Sequence, residues 1–159
     1  MTIRYLQDFC PSQTFETGSI TITEAMIVDF ARQYDPQPFH TDPEAAKGSL
    51  FGGLVASGWH TLALTMGLGV RSDLKIVNGV VGLGVEAIRW PTPVRPGNTL
   101  TATITVLEII PSRSRPGWGV VKMRWTTRNE HGDAVVEMES KCWVRARETA
   151  APSIEEERP

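Results

Sequence analysis

From Asn98 to Arg145 the chain alternates apolar and polar residues with a period of two, and that pattern constrains the fold more than any other feature. In NTLTATITVLEII, Leu100, Ala102, Ile104 and Val106 alternate with threonines. In GWGVVKMRWTTR, Val121, Met123 and Trp125 face one way, and Lys122, Arg124 and Thr126 the other. A third run sets Ala134, Val136, Met138, Cys142 and Val144 against Glu137, Glu139, Lys141 and Arg145. Successive side chains of a strand point to opposite faces, so each run reads as a half-buried strand. Asn129-Glu130-His131-Gly132 supplies turn chemistry between the second and third runs. Three long strands joined by short turns make an antiparallel sheet. A fourth strand, Val81 to Trp90, precedes them and stops at Pro91, Pro93 and Pro96.

The first half of the chain predicts helices. Thr23 precedes an apolar pattern at Ala25, Met26, Ile27 and Phe30, which gives a short helix over Glu24–Tyr34 capped by Thr23. Ser57 to Val70, SGWHTLALTMGLGV, has helix length and is apolar nearly all round, so a buried helix is expected. One buried helix wrapped by a long antiparallel sheet is an α+β domain. The chain has 159 residues, about one domain's worth. The expected division is a single domain over residues 1–147 and a solvated acidic tail over 148–159, ETAAPSIEEERP.

Composition narrows the functional classes. Lys and Arg number 16 against 18 Asp and Glu, a net charge of −2, which offers no basic face for nucleic acid. No apolar run reaches the length of a membrane span. The N-terminal MTIRYLQDFCPSQ lacks the apolar stretch of a signal peptide. Two cysteines, Cys10 and Cys142, make no disulfide framework. A cytoplasmic domain with reduced thiols is expected.

The segment richest in chemistry is Tyr34-Asp-Pro-Gln-Pro-Phe-His-Thr-Asp42. Two prolines two apart are expected to forbid helix and hold Asp35 and His40 on a rigid extended turn. A carboxylate and an imidazole at fixed separation can grip one water and exchange protons with it near neutral pH. On spacing alone a second reading stays open, in which Asp35 caps the turn and His40 merely packs. Metal-ligand spacing is missing: His40, His60 and His131 share no local pattern with each other or with the cysteines. His60, next to Trp59 on the buried helix, reads as a core or cavity-wall residue, His131 as a solvated hairpin tip, and Cys142 as a small hydrophobe. Gly82-Leu-Gly-Val-Glu-Ala87 matches a dinucleotide fingerprint in spelling only, because Ile88-Arg-Trp-Pro cannot continue as the helix that fingerprint must open. Its glycines are expected where the curved sheet passes close to the helix or a ligand.

Three segments together carry a family resemblance. Asp35-Pro-Gln-Pro-Phe-His40 with Thr41-Asp42, then Phe51-Gly-Gly-Leu-Val-Ala-Ser-Gly58, then Arg89-Trp-Pro-Thr-Pro-Val-Arg-Pro-Gly-Asn98, closely resemble the R-specific enoyl-CoA hydratases, MaoC-like dehydratases of the hot-dog fold. The departures are Gln37 for the family's usual Asn, Phe39 for Leu, Ser57 where many members have His, and Asn98 for Asp. The resemblance implies one long helix wrapped by a curved antiparallel sheet. It also implies a homodimer or dimer-based higher oligomer that pairs sheets side by side, and an Asp35/His40 dyad that hydrates a trans-2-enoyl-CoA thioester to the R-3-hydroxyacyl product. No cofactor is needed for that reaction. The backbone N–H of Gly58, at the start of the buried helix, is the candidate oxyanion donor. Phe39, Phe51, Ser57 and Trp59 are candidate substrate-binding residues. Lys47, Lys75, Arg89 and Arg95 are candidates for the phosphates of CoA. Two alternatives share the scaffold: an acyl-CoA thioesterase, and a non-catalytic acyl-CoA-binding subunit. The thioesterase and carrier-protein dehydratase families resemble each other in placing a catalytic carboxylate on the central helix, and Ser57–Val70 contains none.

Overall fold

The computed structural model describes residues 2–148. The residues of the expected tail beyond 148 lie outside these. Among the described residues, five strands form one antiparallel sheet: β1 (Thr14–Thr21), β2 (Val81–Arg89), β3 (Thr99–Pro111), β4 (Trp118–Arg128) and β5 (Ala134–Arg145). Their order is β1-β3-β4-β5-β2, so β1 and β2 are the two edges. The helices are α1 (Glu24–Tyr34), α2 (Pro38–Thr41), α3 (Pro43–Lys47) and α4 (Gly58–Arg71).

The period-two pattern places the core as expected. Leu100, Ala102, Ile104 and Val106 of β3 are buried, as are Val121, Met123 and Trp125 of β4 and Val136, Met138, Cys142 and Val144 of β5. Register sets Val121 against Cys142, Met123 against Ser140, and Trp125 against Met138. The indole N–H of Trp125 donates to Ser140 Oγ at 2.9 Å, so the ring is both buried and oriented. The Asn129 side chain accepts from the N–H groups of His131 and Asp133, and Gly132 takes φ 86°, closing the β4–β5 hairpin.

α1 starts at Glu24 with Thr23 Oγ1 accepting from Met26 N, and it packs Ile27, Val28 and Ala31 inward. α4 packs across one face of the sheet, against β1, β3 and β5. Gly69 lets it approach closely: an added Cβ would stand 2.6 Å from Trp125 Cη2 and 3.1 Å from Ile104 Cδ1. Its buried positions are His60, Thr61, Thr65, Leu68 and Gly69, and Thr65 Oγ1 meets Thr127 Oγ1 of β4 at 2.8 Å.

Several expectations are corrected. α4 begins at Gly58 and not at Ser57, because Ser57 is its N-cap, with Oγ accepting from Trp59 N. The helix is not covered on every side: Trp59 is 59% exposed, and Met66 and Val70 are exposed beside it. The prolines do not forbid helix after Asp35. Pro38 opens the short α2 as its first residue, where a missing N–H costs nothing. Gly82 and Gly84 do not mark a close approach, since a Cβ at either meets open space. The structure adds β1, α2 and α3 to the elements expected.

Candidate active site

The cavity of interest lies where α2, the start of α4 and the β2–β3 connection meet, and it encloses about 430 Å³. Asp35 ends α1 and His40 sits in α2. The connection to α4 runs beneath them, held by Val55 N donating to Phe39 O at 3.2 Å and Ala56 N to Val94 O at 2.8 Å.

Each member of the Asp35/His40 pair is held by named partners. His40 is buried, and its Nδ1 lies 2.7 Å from Val55 O. A carbonyl oxygen only accepts, so Nδ1 carries the proton and Nε2 is left facing the cavity. Nε2 stands 3.4 Å from Asp35 Oδ2. Ser57 Oγ donates to that same Oδ2 at 2.6 Å, and Gln37 Nε2 donates to Oδ1 at 2.8 Å. Burial pushes the Asp35 carboxyl upward, but the bonds from Ser57 and Gln37 and the adjacent imidazole outweigh it, and its pKa falls below the ordinary 3.8. The pair thus presents an ionised carboxylate and an imidazole nitrogen to one point in the cavity.

Gly58 lines the cavity as the first residue of α4. Its N–H has no acceptor within the helix and lies at the positive end of the helix dipole. Trp90 lies against it, with the indole N–H donating to Gly58 O at 2.9 Å and the ring filling the space a Cβ at 58 would need, 2.8 Å from Cε2. Phe39, Phe51 and Trp59 also line the cavity, with the Phe39 and Phe51 rings 5.3 Å apart.

Two candidate substrate-binding residues are not part of this cavity's lining. Ser57 is fully buried, does not line the cavity, and acts on Asp35 and the α4 cap. Arg95 is exposed outside the cavity wall and donates from Nη2 to Phe51 O at 2.6 Å, which fixes the Phe51 segment. Of the other cations, Lys47 pairs with Glu44 and Lys75 donates to Val70 O, while Arg89 lines a separate surface depression on the sheet. His60 is a core residue, stacked on Phe30 at 4.6 Å with Nδ1 unpartnered, and burial pushes its pKa down. His131 is exposed at the hairpin tip, and burial raises the Cys142 thiol.

The MaoC like domain model matches residues 8–128. The chain belongs to the MaoC-like domain family. A solved MaoC-like dehydratase from Rhodospirillum rubrum superposes with a TM-score of 0.88 at 44% identity, over 92% of this chain and 99% of that one. The uncharacterized protein YdeM of Bacillus subtilis is 30% identical over 140 residues, 88% of this chain and 98% of its own length. The 3-hydroxyacyl-thioester dehydratase Z of Mycobacterium tuberculosis is 34% identical over 94 residues, 57% of this chain and 61% of that protein. The sheet wrapped on α4 is the hot-dog fold of this family. As a family of hydratases and dehydratases, the MaoC-like proteins place this chain among hydro-lyases at the general level. No helix among the described residues is long and apolar enough to cross a membrane.

Residues that sequence reasoning passed over contribute to this MaoC-like site. Gln37, in sequence a departure from the family pattern, holds Asp35. Trp90 and Val135 line the cavity from β2's end and from β5. The only signal for Trp90 was its place two residues before Thr92-Pro93-Val94 in the third matching segment.

Ser57→Ala is expected to lower stability by about 1–2 kcal/mol at neutral pH, through the lost cap and the lost donor to Asp35. Asp35 has a depressed folded pKa, so its contribution is present above the unfolded value near 3.8 and is lost as pH falls through the folded value. The gap between wild type and Ser57→Ala in denaturant unfolding should therefore narrow as pH drops below that value. A gap that stays constant would contradict the role given to Ser57.

Proposed function

We propose that this protein is a hydro-lyase that adds water reversibly across the double bond of a trans-2-enoyl-CoA thioester. The observation that carries the reading is the Asp35 Oδ2–His40 Nε2 pair, 3.4 Å apart, each held by its own hydrogen bonds and both lining one cavity. A water between these atoms is oriented by two acceptors, and the dyad draws a proton from it as its oxygen bonds to C3. A proton passes from the dyad to C2, so one water is consumed and no redox or cofactor step is involved. Negative charge that grows on the thioester oxygen is met by the Gly58 N–H and the end of the α4 dipole. The family resemblance, which brings the R configuration at C3, and the relative named a 3-hydroxyacyl-thioester dehydratase support this reversible chemistry.

The same reading includes a homodimer or dimer-based higher oligomer, in the cytoplasm, with no nucleic-acid partner. β2 is an edge strand with Val81, Leu83 and Val85 exposed, and Trp59, Met66, Val70 and Trp90 add further exposed apolar surface. Burial of such a strip against a second copy explains why a single chain leaves it open.

The test is a panel of thioesters. Loss of the conjugated absorbance of crotonyl-CoA, with R-3-hydroxybutyryl-CoA as product, is expected. Release of free thiol from saturated acyl-CoA would replace the reading with a thioesterase. Binding without turnover of any enoyl-CoA would replace it with an acyl-CoA-binding subunit.

A further inference from the structure

Gly58 brings to the cavity a backbone N–H that must be aimed, and glycine is the residue least able to aim it alone. Its backbone has the widest freedom of any residue, and it stands in the first turn of α4, where helices fray. Two holds bracket it. On the N-terminal side Ser57 is fully buried, its O accepts from Thr61 N at 3.0 Å, and its Oγ donates to Asp35 and accepts from Trp59 N. On the C-terminal side the Trp90 indole N–H donates to Gly58 O at 2.9 Å. The ring lies against the Gly58 α-carbon, where an added Cβ would stand 2.8 Å from Cε2 and 2.9 Å from Nε1. Trp90 follows the last residue of β2 and precedes Pro91, which restricts its backbone to extended conformations. Further along the same segment, Val94 O accepts from Ala56 N at 2.8 Å. The stretch from Trp90 to Val94 thus grips the chain on both sides of Ser57.

We infer that Trp90 is a positioning residue for the Gly58 N–H. The inference rests on the enoyl-CoA reading above and adds to it the side chain that aims the oxyanion donor. With the peptides on both sides of the Gly58 α-carbon pinned, the N–H keeps one direction, and the indole ring excludes water from that side of the glycine. A donor already oriented in a water-excluded site stabilises developing charge without reorganising as the charge grows. Trp90 therefore acts on the transition state and not on the binding of the ground-state thioester. The indole N–H is the working feature, since a phenyl ring offers contact but no donor.

Trp90→Phe removes the donor and keeps a ring, and Trp90→Leu removes both. Each is expected to lower kcat for crotonyl-CoA hydration about tenfold, with KM within about twofold of wild type. A Trp90→Phe enzyme with wild-type kcat, or a loss that falls on KM alone, overturns the inference. NMR relaxation of the Gly58 amide gives a readout that needs no turnover. Its order parameter is expected near the rigid-backbone value of about 0.85 in the wild type and to fall toward about 0.6 in both variants, while that of Gly67 on α4 stays unchanged. A Gly58 amide equally rigid in all three proteins overturns the inference, and the hydratase reading stands if crotonyl-CoA is still hydrated. If the wild-type protein hydrates no enoyl-CoA, the hydratase reading falls. The Gly58 order parameter then decides alone whether Trp90 positions this N–H.

Discussion

Asp35→Asn is expected to lower crotonyl-CoA hydration by about 10²–10⁴-fold, the range associated with a positioned acid–base group. The substitution keeps the shape of the side chain but removes its charge and one of its two acceptor oxygens. Ser57 Oγ and Gln37 Nε2 both donate to the carboxylate, so an amide in its place must turn its own N–H toward one of them. The water would lose its anionic acceptor. His40→Ala is expected to cost a similar factor, because Nε2 is the second contact to the same water. The two should be strongly non-additive, since either loss dismantles the same unit. Initial-rate measurements of the two single variants and the double variant decide this. Retention of more than a tenth of wild-type activity by Asp35→Asn would remove the dyad from the mechanism.

A large effect on stability is expected at Gly69. Replacing Gly by Ala inside a helix ordinarily gains about 1 kcal/mol. Here the new Cβ would stand 2.6 Å from Trp125 Cη2, and that ring is fully buried and tied to Ser140. Overpacking a well-filled core costs about 1–3 kcal/mol, and a locked indole leaves α4 itself to move. With the cost near the upper end, about 3 kcal/mol, Gly69→Ala is expected to be destabilising by about 2 kcal/mol net, a fall of roughly 4–8 °C in Tm for a chain of this size. Gly67→Ala is the control, because its Cβ meets only the flexible end of Arg71, 3.0 Å away. That variant should be neutral or slightly stabilised. A Gly69→Ala protein that melts with wild type would show that α4 does not bear on Trp125 as described.

The strands that pack the core were legible because their chemistry is periodic. β3, β4 and β5 alternate over 13, 11 and 12 residues, long enough for the pattern to stand out. β1 was not, because TFETGSIT carries only Phe15 and Ile20 as large apolar residues and its pairing shifts between Glu16 and Ser19. α2 and α3 span four and five residues, and each opens on a proline that reads as a breaker in isolation. Asp35 and His40 could be singled out because they share one short segment. What orients them could not: Val55 lies 15 residues from His40, and Ser57 lies 22 from Asp35. Those contacts depend on how the loop before α4 returns under α2, which no local pattern encodes. For the same reason Ser57 read as a substrate contact when its hydroxyl in fact points inward to the carboxylate.

The two margins of the sheet differ in kind. β1 shows Thr14, Glu16, Gly18, Ser19 and Thr21 to solvent, whereas β2 shows valines and a leucine. Two copies joined through β2 about a twofold axis would carry polar, irregular β1 at both outer ends. Such a pair would leave no apolar strand edge for a third copy to extend the sheet. In that pairing the asymmetry between the two margins would guard against an open-ended fibre, because the hydrophobic strand would be covered and only the polar flank left free.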